Sequence, residues 1–188
     1  MTAIAAALPG GMVDVQTHDR DIVVDAQYAT KDNFTGAKLP GYCGNRLLLK
    51  RDAARRLARA QKRLERGGEK LRVLDAYRPA RASRAMVRWA ERTGREHLLN
   101  GFIARRSNHA RGTTVDLTID GADMGSPDDS FSGRSITRNA SGRALRNRLR
   151  LVRAMETEGF RNYSKEWWHF DTPGSNAPRL DAPIPCSD

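Results

Sequence analysis

The sequence predicts an α+β fold: one domain with a central antiparallel sheet, helices on one face and a cleft on the other. Three observations predict it. Three stretches, 50–66, 82–92 and 141–158, repeat apolar residues at helical spacing. Two runs, 71–77 and 113–119, alternate or are β-branched like strands, and 160–163 with 167–171 reads as a closing hairpin. With 188 residues and 39% hydrophobic content, the chain suits a single core better than two.

The elements follow in order. Residues 1–20 read as a flexible N-terminal segment, 21–172 as the domain and 173–188 as a tail rich in Pro, Asn and Ser. The first ten residues are apolar but lack a positive region and a long apolar stretch; they read equally as the remnant of a removed export signal or as a plain floppy tail. Asp21-Ile-Val-Val-Asp25 reads as a short strand, and 28–44 is punctuated by Gly, Asn and Pro as turns. Over 50–66, Ala53, Ala54, Leu57, Ala60, Gln61 and Leu64 share one helix face, Arg and Lys take the other, and Gly67-Gly68 ends the helix. The strand 71–77 runs into Arg78-Pro79; Pro79 holds Arg78 extended, at the mouth of the sheet. In 113–119, period two separates Val115, Leu117 and Ile119 from Thr114, Asp116 and Thr118, so Asp116 faces the cleft. The loop 120–138 is long for a compact domain, which marks it as functional or mobile. Gly159 stops the third helix.

Lys and Arg outnumber Asp and Glu by 33 to 22, a formal charge of +11. Such a chain attracts polyanions. The charge is mostly Arg spread over helices without interleaved aromatics, so no nucleic-acid partner is expected. No apolar run reaches the roughly 18 residues of a membrane span. Cys43 and Cys186 have no CxxC spacing; one disulfide and two separate thiols both stand open.

Chemistry concentrates in two stretches. Ser107-Asn-His109-Ala-Arg-Gly112 leads into the strand that carries Asp116, and Glu166-Trp-Trp-His169 follows some fifty residues later. Two imidazoles, one carboxylate and a spare Glu suit a catalytic zinc with three protein ligands, one open position and a base that is not a ligand. Positions three apart on a strand face opposite ways, so Glu166 must lie in a turn before the strand that carries His169. The bland alternative is a core hairpin in which the tryptophans pack and Glu166 is solvated.

The pattern Ser-x-His-x-x-Gly-x-x-x-Asp with a later Glu-x-Trp-His resembles the zinc D,D-peptidases of cell-wall peptides. Within them it is most similar to the D-alanyl-D-alanine dipeptidases, including those of vancomycin resistance. Tyr28-Ala-Thr-Lys-Asp-Asn-Phe-Thr-Gly36, Asp75-Ala-Tyr-Arg-Pro79 and Asp123-Met-Gly-Ser-Pro127 support that branch, and the likeness covers about 21–172. It implies one zinc per chain on His109, Asp116 and His169, Glu166 as base, and Arg78 facing the scissile carbonyl. It implies Asp129 for the substrate ammonium, with Ser107 and Tyr28 lining the pocket. One departure is visible: the family's Met-Gly-x-Pro-Phe-Asp reads Met124-Gly-Ser-Pro-Asp128-Asp129 here, which leaves two candidate carboxylates for the ammonium.

The expected activity is hydrolysis of D-alanyl-D-alanine. The alternatives are a peptidoglycan D,D- or L,D-carboxypeptidase or endopeptidase, and a zinc-containing binding module without catalysis. The partner is a small D-amino-acid dipeptide or a cell-wall peptide, in a bacterium. Basic charge and a Cys43–Cys186 bridge favour a periplasmic or exported protein; the lack of a recognisable signal favours the cytoplasm.

Overall fold

A computed structural model describes residues 8–173 and 176–186. Its strands are β1 (Met12–Asp14), β2 (Val23–Val24), β3 (Leu48–Lys50), β4 (Leu71–Asp75), β5 (Thr114–Ile119), β6 (Arg161–Asn162) and β7 (His169–Asp171). Its helices are α1 (Arg51–Glu65), α2 (Ala80–Arg92) and α3 (Gly142–Thr157).

The main sheet has the order β2-β4-β5-β7-β6. The α+β class holds, but the sheet is mixed rather than antiparallel, because β2 pairs parallel to β4 while the other pairs are antiparallel. The long connection through β3 and α1 lets the chain return in the same direction, which a short hairpin forbids. The apolar face of β5 is core: Val115, Leu117 and Ile119 are buried. The helix α1 packs on α3, and α3 on β5. Its buried face is the one the spacing predicts, including Gln61, whose side chain accepts from the Leu71 backbone N–H at 2.7 Å and so ties α1 to the start of β4. The helix α2 follows β4 after only four residues and borders the cleft through Met86.

The flexible N-terminal segment expected over 1–20 needs correction within its described part. Strand β1 pairs antiparallel with β3, and Met12, Val13 and Val15 are buried. Three residues are too few to show a period, and the partner strand Leu48-Leu49-Lys50 is equally short. Residues 1–7 lie outside the described residues.

The tail is strapped to the domain. Tyr77 donates its hydroxyl to the Ala182 carbonyl at 2.8 Å, the Ile184 N–H donates to Gly41 at 2.8 Å, and Arg81 holds Asp181. Cys43 and Cys186 form a disulfide with Cα atoms 4.8 Å apart. No helix among the described residues is long and apolar enough to cross a membrane.

Candidate active site

Sheet register builds the centre of the site. Asp75, Asp116 and His169 are successive cross-strand partners on β4, β5 and β7, so they form a row across the sheet. The β4–β5 register shifts between Val73 and Asp75, a bulge that re-aims Asp75. From the loop before β5, a 3-10 turn (Asn108–Arg111) carries His109 over this row. The Ser107 hydroxyl caps that turn by accepting from the His109 N–H at 3.2 Å. Gly112 closes it at φ 71°, where a Cβ would also stand 2.7 Å from the Met12 sulfur.

The hydrogen bonds decide which nitrogens face inward. His109 donates Nδ1–H to the Ala76 carbonyl at 2.7 Å, which leaves Nε2 bare. That Nε2 lies 3.2 Å from Asp116 Oδ2 and 3.3 Å from His169 Nδ1. His169 Nδ1 is 2.9 Å from Asp116 Oδ1, and its Nε2 is 3.5 Å from Asp171 Oδ2. Asp171 in turn accepts from the Thr114 hydroxyl at 2.6 Å. Two imidazole nitrogens and a carboxylate thus converge, their ligand atoms within 4.8 Å of one another. Each ring has an acceptor beside its outer nitrogen, the arrangement that metal-binding histidines need. Neutral rings would leave electron pairs facing electron pairs, which only a cation or extra protons can relieve. The donor set, two imidazoles and one carboxylate, fits zinc with an open position. A second acidic group, Asp19, Asp21 and Glu65, has Lys62 and Lys70 as counter-charges within 3.1 Å of its carboxylates.

Electrostatics agrees. Burial opposes charge on Asp116, but the two imidazoles outweigh it and hold the carboxyl far below its usual range. Burial also opposes charge on His169, yet Asp116 wins and pushes the metal-free imidazole up to about 10. Glu166 sits in the turn before β7, as its spacing requires, with Oε2 3.7 Å from His169 Nδ1. Burial pushes its carboxyl up to about 8. Trp167 and Trp168 beside it are buried packing residues, edge-on at 5.4 Å.

Arg78 is anchored at the mouth of the sheet. It donates to Asp75 at 2.8 Å, lies 3.3 Å from Asp116 and stacks over Tyr28 at 5.0 Å. Tyr42 donates to the other Asp75 oxygen at 2.6 Å. Tyr28 donates its hydroxyl to Asp129 at 2.5 Å. Burial, then Asp128, push the Asp129 carboxyl well above its usual value. Asp129 and Phe131 both take positive φ, 50° and 43°, in the loop after β5.

All eight sequence-predicted residues, including Ser107, line one cavity of about 320 Å³. Asp129 lines it and Asp128 does not, so only one of the two candidate carboxylates faces the cleft. Sequence reasoning missed the roles of Asp75 and Asp171. His169 and Asp171 are two apart on one strand and so share a face, a signal that was present. Asp75 lies three residues before Arg78 in a motif already singled out. The aromatic wall of Phe34, Phe102 and Phe131 gave no periodic signal, because its rings come from three separate loops and meet only in the fold.

Comparison with known proteins follows from this geometry. The family described as D-ala-D-ala dipeptidase matches residues 9–187. The D-alanyl-D-alanine dipeptidase of Enterococcus faecium is 36% identical over 187 residues, 85% of this chain and 91% of the relative. That of Streptomyces coelicolor is 36% identical over 172 residues, 78% of this chain and 83% of the relative. Among solved structures, the LdcB LD-carboxypeptidase is similar in fold with a TM-score of 0.50 at 15% identity, over 69% of this chain and 61% of that one.

Proposed function

The chain belongs to the D-alanyl-D-alanine dipeptidase family, and from that premise we propose that it is a zinc metallopeptidase that hydrolyses D-alanyl-D-alanine to two D-alanines. The observation that carries this reading is the convergence of His109 Nε2, His169 Nδ1 and the Asp116 carboxylate beside a buried carboxyl at Glu166. His109, Asp116 and His169 would hold one zinc ion per chain. Zinc bound there supplies Lewis acidity, which makes water a usable nucleophile near neutral pH.

The chain's own residues do the rest. Glu166 accepts the proton of the attacking water and returns it to the leaving amine. Its metal-free value of about 8 falls when a dication neighbours it, so it is an ionised base at neutral pH. Arg78 donates to the oxyanion as charge develops on the scissile carbonyl, worth about 2.7–4 kcal/mol for one well-placed donor. Asp75 fixes the guanidinium in advance, so little reorganisation is needed. Asp129, with Tyr28, reads the substrate ammonium. The ammonium supplies the counter-charge that lets the buried Asp129 ionise. A longer peptide brings an uncharged amide to that place and leaves the carboxylate unpaired. Ser107 holds the turn that presents His109. The Cys43–Cys186 disulfide supports an oxidising, exported or periplasmic setting.

The test is D-alanine release by the zinc-loaded protein from D-alanyl-D-alanine and, in parallel, from a pentapeptide ending in D-alanyl-D-alanine. Cleavage of the dipeptide alone is expected. Pentapeptide cleavage with the dipeptide untouched would mean a carboxypeptidase. Cleavage of neither, with zinc bound, would mean a binding module.

A further inference from the structure

D-Alanyl-D-alanine is a zwitterion, and the residues described so far account for its ammonium and its peptide bond but not its carboxylate. The cavity is a difficult place for that group. Four acidic side chains line it: Asp116, Asp129, Glu166 and Asp171. Among the described residues only two Lys or Arg side chains line it, Arg78 and Arg106. Arg78 is committed, since Asp75 takes two of its nitrogens and Asp116 lies beside a third contact. In the proposed reaction it serves the reacting carbonyl rather than a terminus.

Arg106 differs on every count. It lies next to Ser107, at the start of the turn that carries His109, whereas Asp129 joins the site through Tyr28 and Arg78. Its side chain is exposed at the rim, and no described residue gives it a hydrogen bond or a carboxylate partner. The arginines around it are occupied. Arg105 pairs with Glu91 at 3.2 Å, Arg179 donates to the Ser107 carbonyl and Asn108, and Arg111 donates to the Ala177 carbonyl. The charges of Arg106 and Arg111 both act on Arg179, so basic side chains cluster on this side of the mouth.

We propose that Arg106 reads the free C-terminal carboxylate of the substrate. Asp129 and Arg106 then form a pair of opposite charges lining one small cavity, which selects a zwitterionic dipeptide and sets its direction across the metal ligands. The inference rests on the dipeptidase reading for the identity of the ligand. A guanidinium suits this task because it presents two parallel N–H groups to a carboxylate. The exposed position makes the interaction partly screened, so an effect of about tenfold is expected rather than the larger loss of a buried pair.

The experiment compares D-alanyl-D-alanine with its C-terminal amide, which keeps the ammonium and loses the negative charge. Binding is measured by calorimetry to zinc-loaded Glu166→Gln, alone and combined with Arg106→Gln or with Arg105→Gln. Arg106→Gln is expected to weaken the acid about tenfold, leave the amide unchanged and so abolish the preference for the acid. Arg105→Gln, next along the chain but outside the cavity, is expected to keep that preference. In the hydrolysing protein, Arg106→Gln should raise KM with kcat little changed, because the contact is the same in ground and transition states. An acid preference that survives Arg106→Gln, or is lost equally in Arg105→Gln, overturns the proposal, as does failure of either ligand to bind. Failure of the dipeptidase reading is separate: it appears as no D-alanine release by the native protein, while the acid-to-amide ratio still reports on Arg106.

Discussion

Zinc loading of this site must be coupled to proton release, and the size of that coupling follows from the geometry. In the metal-free protein His169 Nδ1 faces Asp116 Oδ1 at 2.9 Å, a place for a proton rather than for a lone pair. Asp116 outweighs the burial that disfavours charge and pushes His169 up to about 10. At pH 7 roughly one molecule in a thousand then carries the bare imidazole, a handicap of about 4 kcal/mol on metal affinity. Glu166, pushed up to about 8 by burial, is also mostly protonated at pH 7 and ionises once a dication stands beside it. The sign is the same for both groups: raised values mean protons present below them, so metal affinity rises with pH. The affinity should rise about tenfold per pH unit from His169 alone, and nearer a hundredfold per unit between pH 6 and 7, where Glu166 contributes as well. Calorimetric titration of the metal-free protein with zinc, in buffers of different protonation enthalpy at pH 7, should show between about one and two protons released per zinc. Release near zero, or an affinity flat between pH 6 and 8, would refute the claim that a proton occupies the metal position and with it the assignment of His169 Nδ1 as a ligand.

Three further outcomes follow. Asp171→Asn keeps the shape beside His169 Nε2 but removes the charge, and should weaken zinc about 10–100-fold in a competition titration while leaving the fold's melting profile intact. Asp75→Ala removes the closer of the two carboxylates that pair with Arg78, whose side chain is 11% exposed, and leaves only Asp116 at 3.3 Å; denaturant unfolding should show a loss of up to about 3 kcal/mol. Cys43→Ser opens a cross-link between residues 143 positions apart, and the same measurement should show a loss of roughly 2–4 kcal/mol relative to the oxidised protein.

Much of the site was legible because its chemistry is local. Ser107, His109 and Gly112 lie within one turn, and the period of two in 113–119 already assigns Asp116 to the cleft and its neighbours to the core. The same rule placed Glu166 before the strand, where the turn 163–166 holds it. The α1 stripe was legible for a similar reason: fifteen residues repeat a period often enough to define a face. Strand β1 was not, since three residues define no period and their role depends on a partner 36 positions away. The parallel pairing of β2 was hidden likewise, because a two-residue strand carries no mark of direction.

The sequence by itself determined the residue types of the site, the helices with long amphipathic repeats and the face on which Asp116 lies. These depend on spacing along one chain, and spacing is what a sequence records. Only the tertiary structure decided which ring nitrogens turn inward, that Asp75 clamps Arg78, that Asp171 stands behind His169, and that Asp129 rather than Asp128 reaches the cavity. Those facts depend on register between strands, on a bulge and on hydrogen bonds between groups up to 101 residues apart. Such pairings are selected by the packing of the whole core, where a shift of one residue would turn every side chain of a strand to the opposite face.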